Sequence, residues 1–465
     1  MALIIKNGYL VTENGIIKAD MLIENEKISR IDCSINEDSG DVVIDAAGKM
    51  VIPGVIDAHV HYNMKTDTGR TADDFETGTI SAAFGGVTSF VDFASPLEGK
   101  SLLESLKIRE NEARGHSYLD YSFHMEITGE FEQDFSQLSD LKDYGITSLK
   151  VYTTYGSLQL PDEKILRLLK KAKEADMLVL VHAEDNEIIN RLKERFILEG
   201  KTAPAYHGDS RPKDAEIAAI RKILNMAREA EAPVYIVHVS TGEGAEIIRK
   251  AKEFGQKVYG ETCPHYLLLT DSCYKGIEPQ KYIMTPPLRE KEDQEILWRS
   301  LDEGMLQCVT TDHCSFHIKD KLSLDNCFDV PPGIGGSETL LPLLYNEAVN
   351  KGKLTLEKLV CLISTNPAKM FGIYPQKGVL KVGSDGDIVI FDPEKEVTLK
   401  SLELHSAAGY TVYESRKVKG YPVVTISRGM VICENSILKV AKPEGKFIKA
   451  QINFEQAYGG TINEL

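Results

Sequence analysis

His59 and His61 stand two residues apart in Pro53-Gly54-Val55-Ile56-Asp57-Ala58-His59-Val60-His61, at the end of an apolar run. On an extended strand, positions i and i+2 point to one side, so both imidazoles face one point, as a chelating pair must. Asp57 extends that face. Two further histidines close apolar runs: His182 after Leu178-Val179-Leu180-Val181, and His238 after Val234-Tyr235-Ile236-Val237. A lone histidine in such a place is more often a satisfied core residue than a ligand. Two at equivalent strand ends, beside a His-x-His pair, reverse that balance. Neutral imidazoles with carboxylates suit zinc or a similar borderline divalent metal.

Lys150 and Asp312 complete the set. Lys150 lies within the apolar run Ser148–Thr153. An ammonium repels metal cations, and burying it unpaired is costly. Either the lysine snorkels from the strand end, or its amine has reacted with carbon dioxide to give an anionic carbamate able to bridge two metals. Asp312, in Thr310-Thr311-Asp312-His313, is open to three roles: a metal ligand, a general base or a helix N-cap.

These residues are informative because of the elements that carry them. Eight β-rich apolar runs alternate with stretches of helical period: Val51–Asp57, Thr88–Phe93, Tyr121–Ile127, Ser148–Thr153, Leu178–His182, Val234–Val239, Lys257–Thr262 and Leu306–Asp312. In Pro161–Ala175, Ile165, Leu168, Leu169 and Ala172 fall on one helical face. Eight strands each followed by helical material predict an α/β chain forming a (β/α)8 TIM barrel, whose C-terminal strand ends share one rim. The six polar residues would meet on that rim.

The chain ends have another texture. Turn signals separate short alternating runs at Leu3–Ile5, Ile16–Lys18, Asp20–Ile23 and Val42–Asp45, read as antiparallel strands. The pattern returns at Asp387–Asp392 and across Val423–Val431. The expected organisation is a small β-sandwich domain built from residues 1–52 and 375–440, a barrel over 53–374, and a partly irregular tail over 441–465.

Composition narrows the class. With 54 Lys+Arg against 70 Asp+Glu, the net charge of −16 argues against a nucleic-acid or anionic-membrane partner. The eight cysteines show no Cys-x-x-Cys pair, so free thiols are expected. The sequence has neither a basic segment leading into a signal-type apolar stretch nor 18 consecutive apolar residues, and a soluble cytoplasmic protein is expected.

Taken together, the His-x-His, Lys, His, His and Asp set resembles the amidohydrolase superfamily, and within it the cyclic amidohydrolases of the dihydropyrimidinase and hydantoinase family. Matching phrases include Val181-His182-Ala183-Glu184, Glu261-Thr262-Cys263-Pro264-His265-Tyr266-Leu267, Pro286-Pro287-Leu288-Arg289, Asp312-His313-Cys314, Asn366-Pro367-Ala368 and Gly383-Ser384-Asp385-Gly386-Asp387. The resemblance implies two Zn2+ or other divalent metals bridged by carboxylated Lys150. His59, His61, Lys150 and Asp312 would hold the buried metal, and Lys150, His182 and His238 the exposed one. A bridging hydroxide would attack a cyclic amide, Asp312 would pass the proton to the leaving nitrogen, and an N-carbamoyl amino acid would result.

The resemblance also bears on the substrate. Tyr155, five residues after Lys150, matches a tyrosine that hydrogen-bonds the developing oxyanion. Thr285 stands where the family usually has serine, in a segment whose backbone holds the ring imide. Pro331-Pro332-Gly333 replaces the Pro-Asn-Gly of many dihydropyrimidinases, and Pro332 removes a backbone N–H there, so the ring's second amide would be held differently. Tyr62-Asn63-Met64 lacks the arginine that dihydroorotase needs to pair its substrate carboxylate. The stretch Tyr62–Asp73 is expected to line the pocket for the ring substituent. Allantoinase or another cyclic ureide hydrolase is the alternative within the enzymes, and a catalytically silent related scaffold is the alternative outside them. The family also implies a homotetramer or homodimer.

Overall fold

The computed structural model describes residues 2–66 and 69–452. Eight strands, β1 (Val55–Val60), β2 (Val87–Ala94), β3 (Asp120–Glu126), β4 (Ser148–Tyr152), β5 (Leu178–His182), β6 (Val234–Ile236), β7 (Val258–Thr262) and β8 (Cys308–Val309), follow one another in one sheet. Each pairs in parallel with the next. The sheet closes where Val60 meets His313 in a parallel bridge and the His61 N–H donates to the His313 carbonyl at 2.7 Å. Every residue of these strands is buried, as parallel strands covered on both faces require. This is the (β/α)8 barrel.

Helices cover the outside. The helix Asp162–Glu174 buries Ile165, Leu168, Leu169 and Ala172, the face its periodicity predicts. Leu102–Ala113 begins on a capping box in which Ser101 and Glu104 satisfy each other's backbone N–H groups.

A second, nine-stranded sheet is assembled from both chain ends, with Met50–Pro53 beside Ile388–Thr398 joining the two contributions. It curls on itself: a Cβ added at Gly429 would lie 2.8 Å from the Ile23 side chain, although their strands are far apart in the sheet order. Ile23, Ile28, Ile388 and Ile426 share its separate core. The irregular segment beyond residue 440 lies against the barrel, where the Ile448 N–H donates to the Tyr121 carbonyl at 2.7 Å. The rest of the tail, 453–465, lies outside the described residues.

Some local expectations change. The two runs Ile16–Lys18 and Asp20–Ile23 are one strand, Gly15–Glu24. Val42–Asp45 pairs in parallel with Leu3–Thr12, not antiparallel. Val423–Val431 is a hairpin, because Arg428 and Gly429 both take positive φ and turn the chain. The sixth and eighth barrel runs end early as strands: His238 (φ 37°) and Asp312 (φ 50°) are left-handed, a conformation that cannot continue a ladder. Among the described residues, no helix is long and apolar enough to cross a membrane.

Candidate metal centre and substrate rim

The C-terminal ends of β1, β4, β5, β6 and β8 deliver the polar residues to one place. His59 Nε2 and His61 Nε2 each lie 3.3 Å from Asp312 Oδ1. One ligand atom from each of these three residues falls within 4.8 Å of the others, a spacing fit for a single cation. His182 Nδ1 faces His238 Nε2 at 2.9 Å, and the ring centroids of His59 and His238 are 5.5 Å apart, so the two histidine groups adjoin. Asp57 does not join them. The strand has an irregular register between Asp57 and Val60, and the Asp57 carboxylate instead accepts from the Thr311 N–H at 3.0 Å and from the Thr311 and Ser337 hydroxyls.

The electrostatics suit cations. Burial, then the Lys150 charge, hold His59 well below its ordinary pKa; burial and the neighbouring His182 do the same for His238. Burial also lowers His182. These rings are therefore neutral and keep a lone pair. Burial would raise the Asp312 carboxyl, but the two imidazoles that converge on it, His59 and then His61, hold it below its ordinary value. Among the described residues, the buried His59 Nε2 has no hydrogen-bond partner, which fits a ligand atom.

Lys150 is 1% exposed. Its Nζ sits 5.1 Å from the Phe93 ring centroid and 5.2 Å from that of Tyr152. Among the described residues, none makes a hydrogen bond or ion pair with it. Burial brings its pKa down to about 8, so a fraction of neutral, nucleophilic amine exists near neutral pH. A fixed positive charge fits poorly beside this ligand set, whereas an anion at that amine would complete it. The residues thus fit a divalent metal centre.

The second layer was not singled out from the sequence. Glu261 Oε1 lies 2.5 Å from His59 Nδ1, and the Tyr235 hydroxyl donates to Glu261 Oε2 at 3.0 Å. Glu184 accepts from His182 Nε2 at 2.8 Å and pairs with Arg211. Such carboxylates fix the tautomer and aim the opposite ring nitrogen. Asp73 accepts from His313 Nε2 at 2.9 Å and from the hydroxyls of Ser315 and Ser406, bracing the residue after Asp312. The signal was present in part: Glu184 follows His182 by two residues, and Glu261 sits near the end of the seventh run.

At the rim, the Tyr155 hydroxyl donates to Thr285 Oγ1 at 2.7 Å, and its ring centroid lies 4.6 Å from that of His182. Burial holds the Tyr155 phenol well above its ordinary pKa, so it remains a donor. The backbone of Tyr155 is left-handed at φ 76°. Pro332 is exposed and makes no hydrogen bond with Tyr155 or Thr285 among the described residues; its segment reaches theirs through the Gly333 N–H, which donates to the Ile283 carbonyl at 3.0 Å. In the Tyr62–Asp73 stretch, Asp67 and Thr68 lie outside the described residues.

The chain is similar to known proteins over nearly its whole length. The profile of the Amidohydrolase family matches residues 50–432. A D-hydantoinase of Ralstonia pickettii is 40% identical over 97% of this chain and 99% of its own length. A D-phenylhydantoinase of Escherichia coli O1:K1 is 36% identical over 97% of this chain and 98% of its own. Among solved structures, a dihydropyrimidinase from Brevibacillus agri NCHU1002 superimposes with a TM-score of 0.94 at 38% identity, covering 97% of this chain and 99% of that one. An L-hydantoinase (dihydropyrimidinase) from Arthrobacter aurescens does so with 0.88 at 30% identity, over 96% and 99%. With the family's profile spanning most of the sequence and hydantoinase relatives matching it end to end, the chain belongs to the amidohydrolase family, in its hydantoinase–dihydropyrimidinase branch.

Proposed function

We propose that the protein is a binuclear zinc hydrolase that opens dihydropyrimidines or 5-substituted hydantoins to N-carbamoyl amino acids. The observation that carries this reading is the meeting of His59, His61 and Asp312 beside the facing His182–His238 pair, with a buried lysine among them that makes no direct ion pair with the described residues. His59, His61 and Asp312 would hold one cation, His182 and His238 the other, and Lys150 both. When bound, such cations activate water at neutral pH and polarise a carbonyl.

The chain's own groups supply the rest. The neutral Lys150 amine adds to the carbon of carbon dioxide and loses a proton to solvent, giving an anionic carbamate whose two oxygens can be shared. The Asp312 carboxylate accepts the proton of the attacking water and returns it to the departing ring nitrogen, so one carboxylate serves as base and then acid. The Tyr155 phenol donates to the oxygen on which negative charge develops. The segments at Thr285 and Pro332 hold the ring. In the same reading, residues 53–374 carry the chemistry, residues 1–52 and 375–440 form the module braced against them, and the protein works as a homotetramer or homodimer in the cytoplasm.

The test is a substrate panel of dihydrouracil, hydantoin, phenylhydantoin, allantoin and dihydroorotate with metal-loaded protein. Turnover of dihydrouracil or the hydantoins supports the reading. Turnover of allantoin alone replaces it with a ureide hydrolase, and no turnover of any ring overturns it.

A further inference from the structure

Lys321 is wholly buried on the short helix Ile318–Leu322, which follows Asp312 in the chain. Its ammonium forms no ion pair among the described residues. It donates instead to three backbone carbonyls: Ile283 at 2.8 Å, Pro331 at 3.2 Å and Gly333 at 2.7 Å. Burial brings its pKa down to about 7; the charged form has three N–H groups, and the three carbonyls accept all of them. Ile283 lies two residues before Thr285, while Pro331 and Gly333 flank Pro332.

The need for such a donor follows from the sequence. Two consecutive prolines deprive their segment of two backbone N–H groups, so it can make few ladder bonds of its own. Its other ties among the described residues include the Gly333 N–H to the Ile283 carbonyl and the Cys314 N–H to the Ile334 carbonyl, at 3.0 and 2.9 Å, and a weak bond from the Cys314 thiol to the Pro332 carbonyl at 4.0 Å. Gly333 is irreplaceable in this approach: its φ is 145°, and a Cβ there would lie 2.3 Å from the Cys314 carbonyl oxygen. With the carbonyls on either side committed to Lys321, the Pro332 carbonyl alone of the three is left free of it.

We propose that Lys321 is a positioning residue, whose ammonium sets the spacing between the segment carrying Thr285 and the segment carrying Pro332, and thereby the grip on the substrate ring. This rests on the assignment of both residues as ring-holding. It makes Lys321 a determinant of affinity with no part in the bond-breaking step.

The test compares Lys321→Met and Lys321→Arg with the parent, all metal-loaded. With the best ring of the panel, Lys321→Met should raise KM about tenfold or more while kcat stays within about threefold, and Lys321→Arg should recover part of the loss. Hydrogen-exchange mass spectrometry should show residues 281–287 and 331–335 exchanging faster together, with 178–182 and the metal content unchanged. An unchanged KM, or a fall in kcat accompanied by metal loss, overturns the proposal. If the parent hydrolyses no ring, the proposed function fails separately, and the exchange arm alone decides: faster exchange in both segments supports the spacing role, and no change in either refutes it. Should Lys321→Met not fold, Lys321→Gln, which retains two donors, is measured in the same way.

Discussion

Nδ1 of His182 faces Nε2 of His238 across 2.9 Å, while the opposite nitrogen of His182 is held by Glu184 at 2.8 Å. The carboxylate assigns the proton to the outer nitrogen of His182 and leaves a lone pair toward the cavity. Glu261 does the same for His59, so both histidine groups are aimed from behind.

The aiming can be measured. Burial pushes the Glu261 carboxyl up to about 8, and Glu261→Gln keeps an acceptor for His59 Nδ1 while removing the group that can ionise. It should weaken metal binding by about 10–100-fold with the fold intact. Competition against a chromogenic chelator reads the affinity, with circular dichroism as the control. Unchanged affinity would mean that Glu261 serves packing alone.

Lys150→Ala should lose most metal and most activity, with partial rescue of both by short carboxylic acids that restore an anion in the cavity. Elemental analysis and turnover check this. A variant that kept two metals and full turnover would remove the bridging role.

Tyr155→Phe deletes one hydroxyl whose partner is Thr285. If the phenol stabilises an oxyanion, kcat should fall by about 10²–10³ while metal content is unchanged. A change confined to KM would make it a binding contact.

Far from the rim, buried Lys377 pairs with Asp120 at 2.6 Å, Asp385 at 3.0 Å and Asp387 at 2.6 Å, tying barrel strand β3 to the chain-end segment. Lys377→Met would leave Asp387 without an ion-pair partner among the described residues, while Asp120 keeps Arg428 and Asp385 keeps Lys27, and should cost about 3 kcal/mol of stability in urea unfolding. Burial would raise the Asp385 carboxyl, yet Lys377 and Lys27 hold it below its ordinary value. Its contribution is therefore present above the unfolded pKa of about 3.9 and lost as pH falls through the lower folded value. Burial opposes the Lys377 charge, but Asp387, Asp120 and Asp385 raise its pKa, so its contribution is full below about 10.4 and lost only as pH rises through the higher folded value. Unfolding curves of parent and variant should converge in acid and stay apart at pH 9.

The barrel was legible because eight buried strands leave eight apolar runs, and five of those runs could be placed on the rim by where a histidine, lysine or aspartate fell. What escaped was whatever depends on neighbours distant in sequence. Glu261 gains meaning only beside His59, and Lys321 only where Ile283 and the Pro331–Gly333 segment meet. Asp57 was misread because alternation presumes a regular strand, and the register breaks between it and Val60. The ends of the sixth and eighth runs were overextended because histidine and aspartate permit a left-handed backbone but do not require it, so residue type alone does not mark His238 or Asp312.

The circle of strands is fastened by little backbone. β8 is only Cys308–Val309, and β1 meets the chain beyond it through one bridge at Val60 and His313. Side chains complete the seam: Thr311 on Asp57, and Asp312 between His59 and His61. The two margins of this seam lie far apart along the chain, so their meeting carries a large loop-closure cost and belongs late in folding. The candidate metal-binding residues are thus also the clasp of the barrel, and a cation held by them would act as its latch.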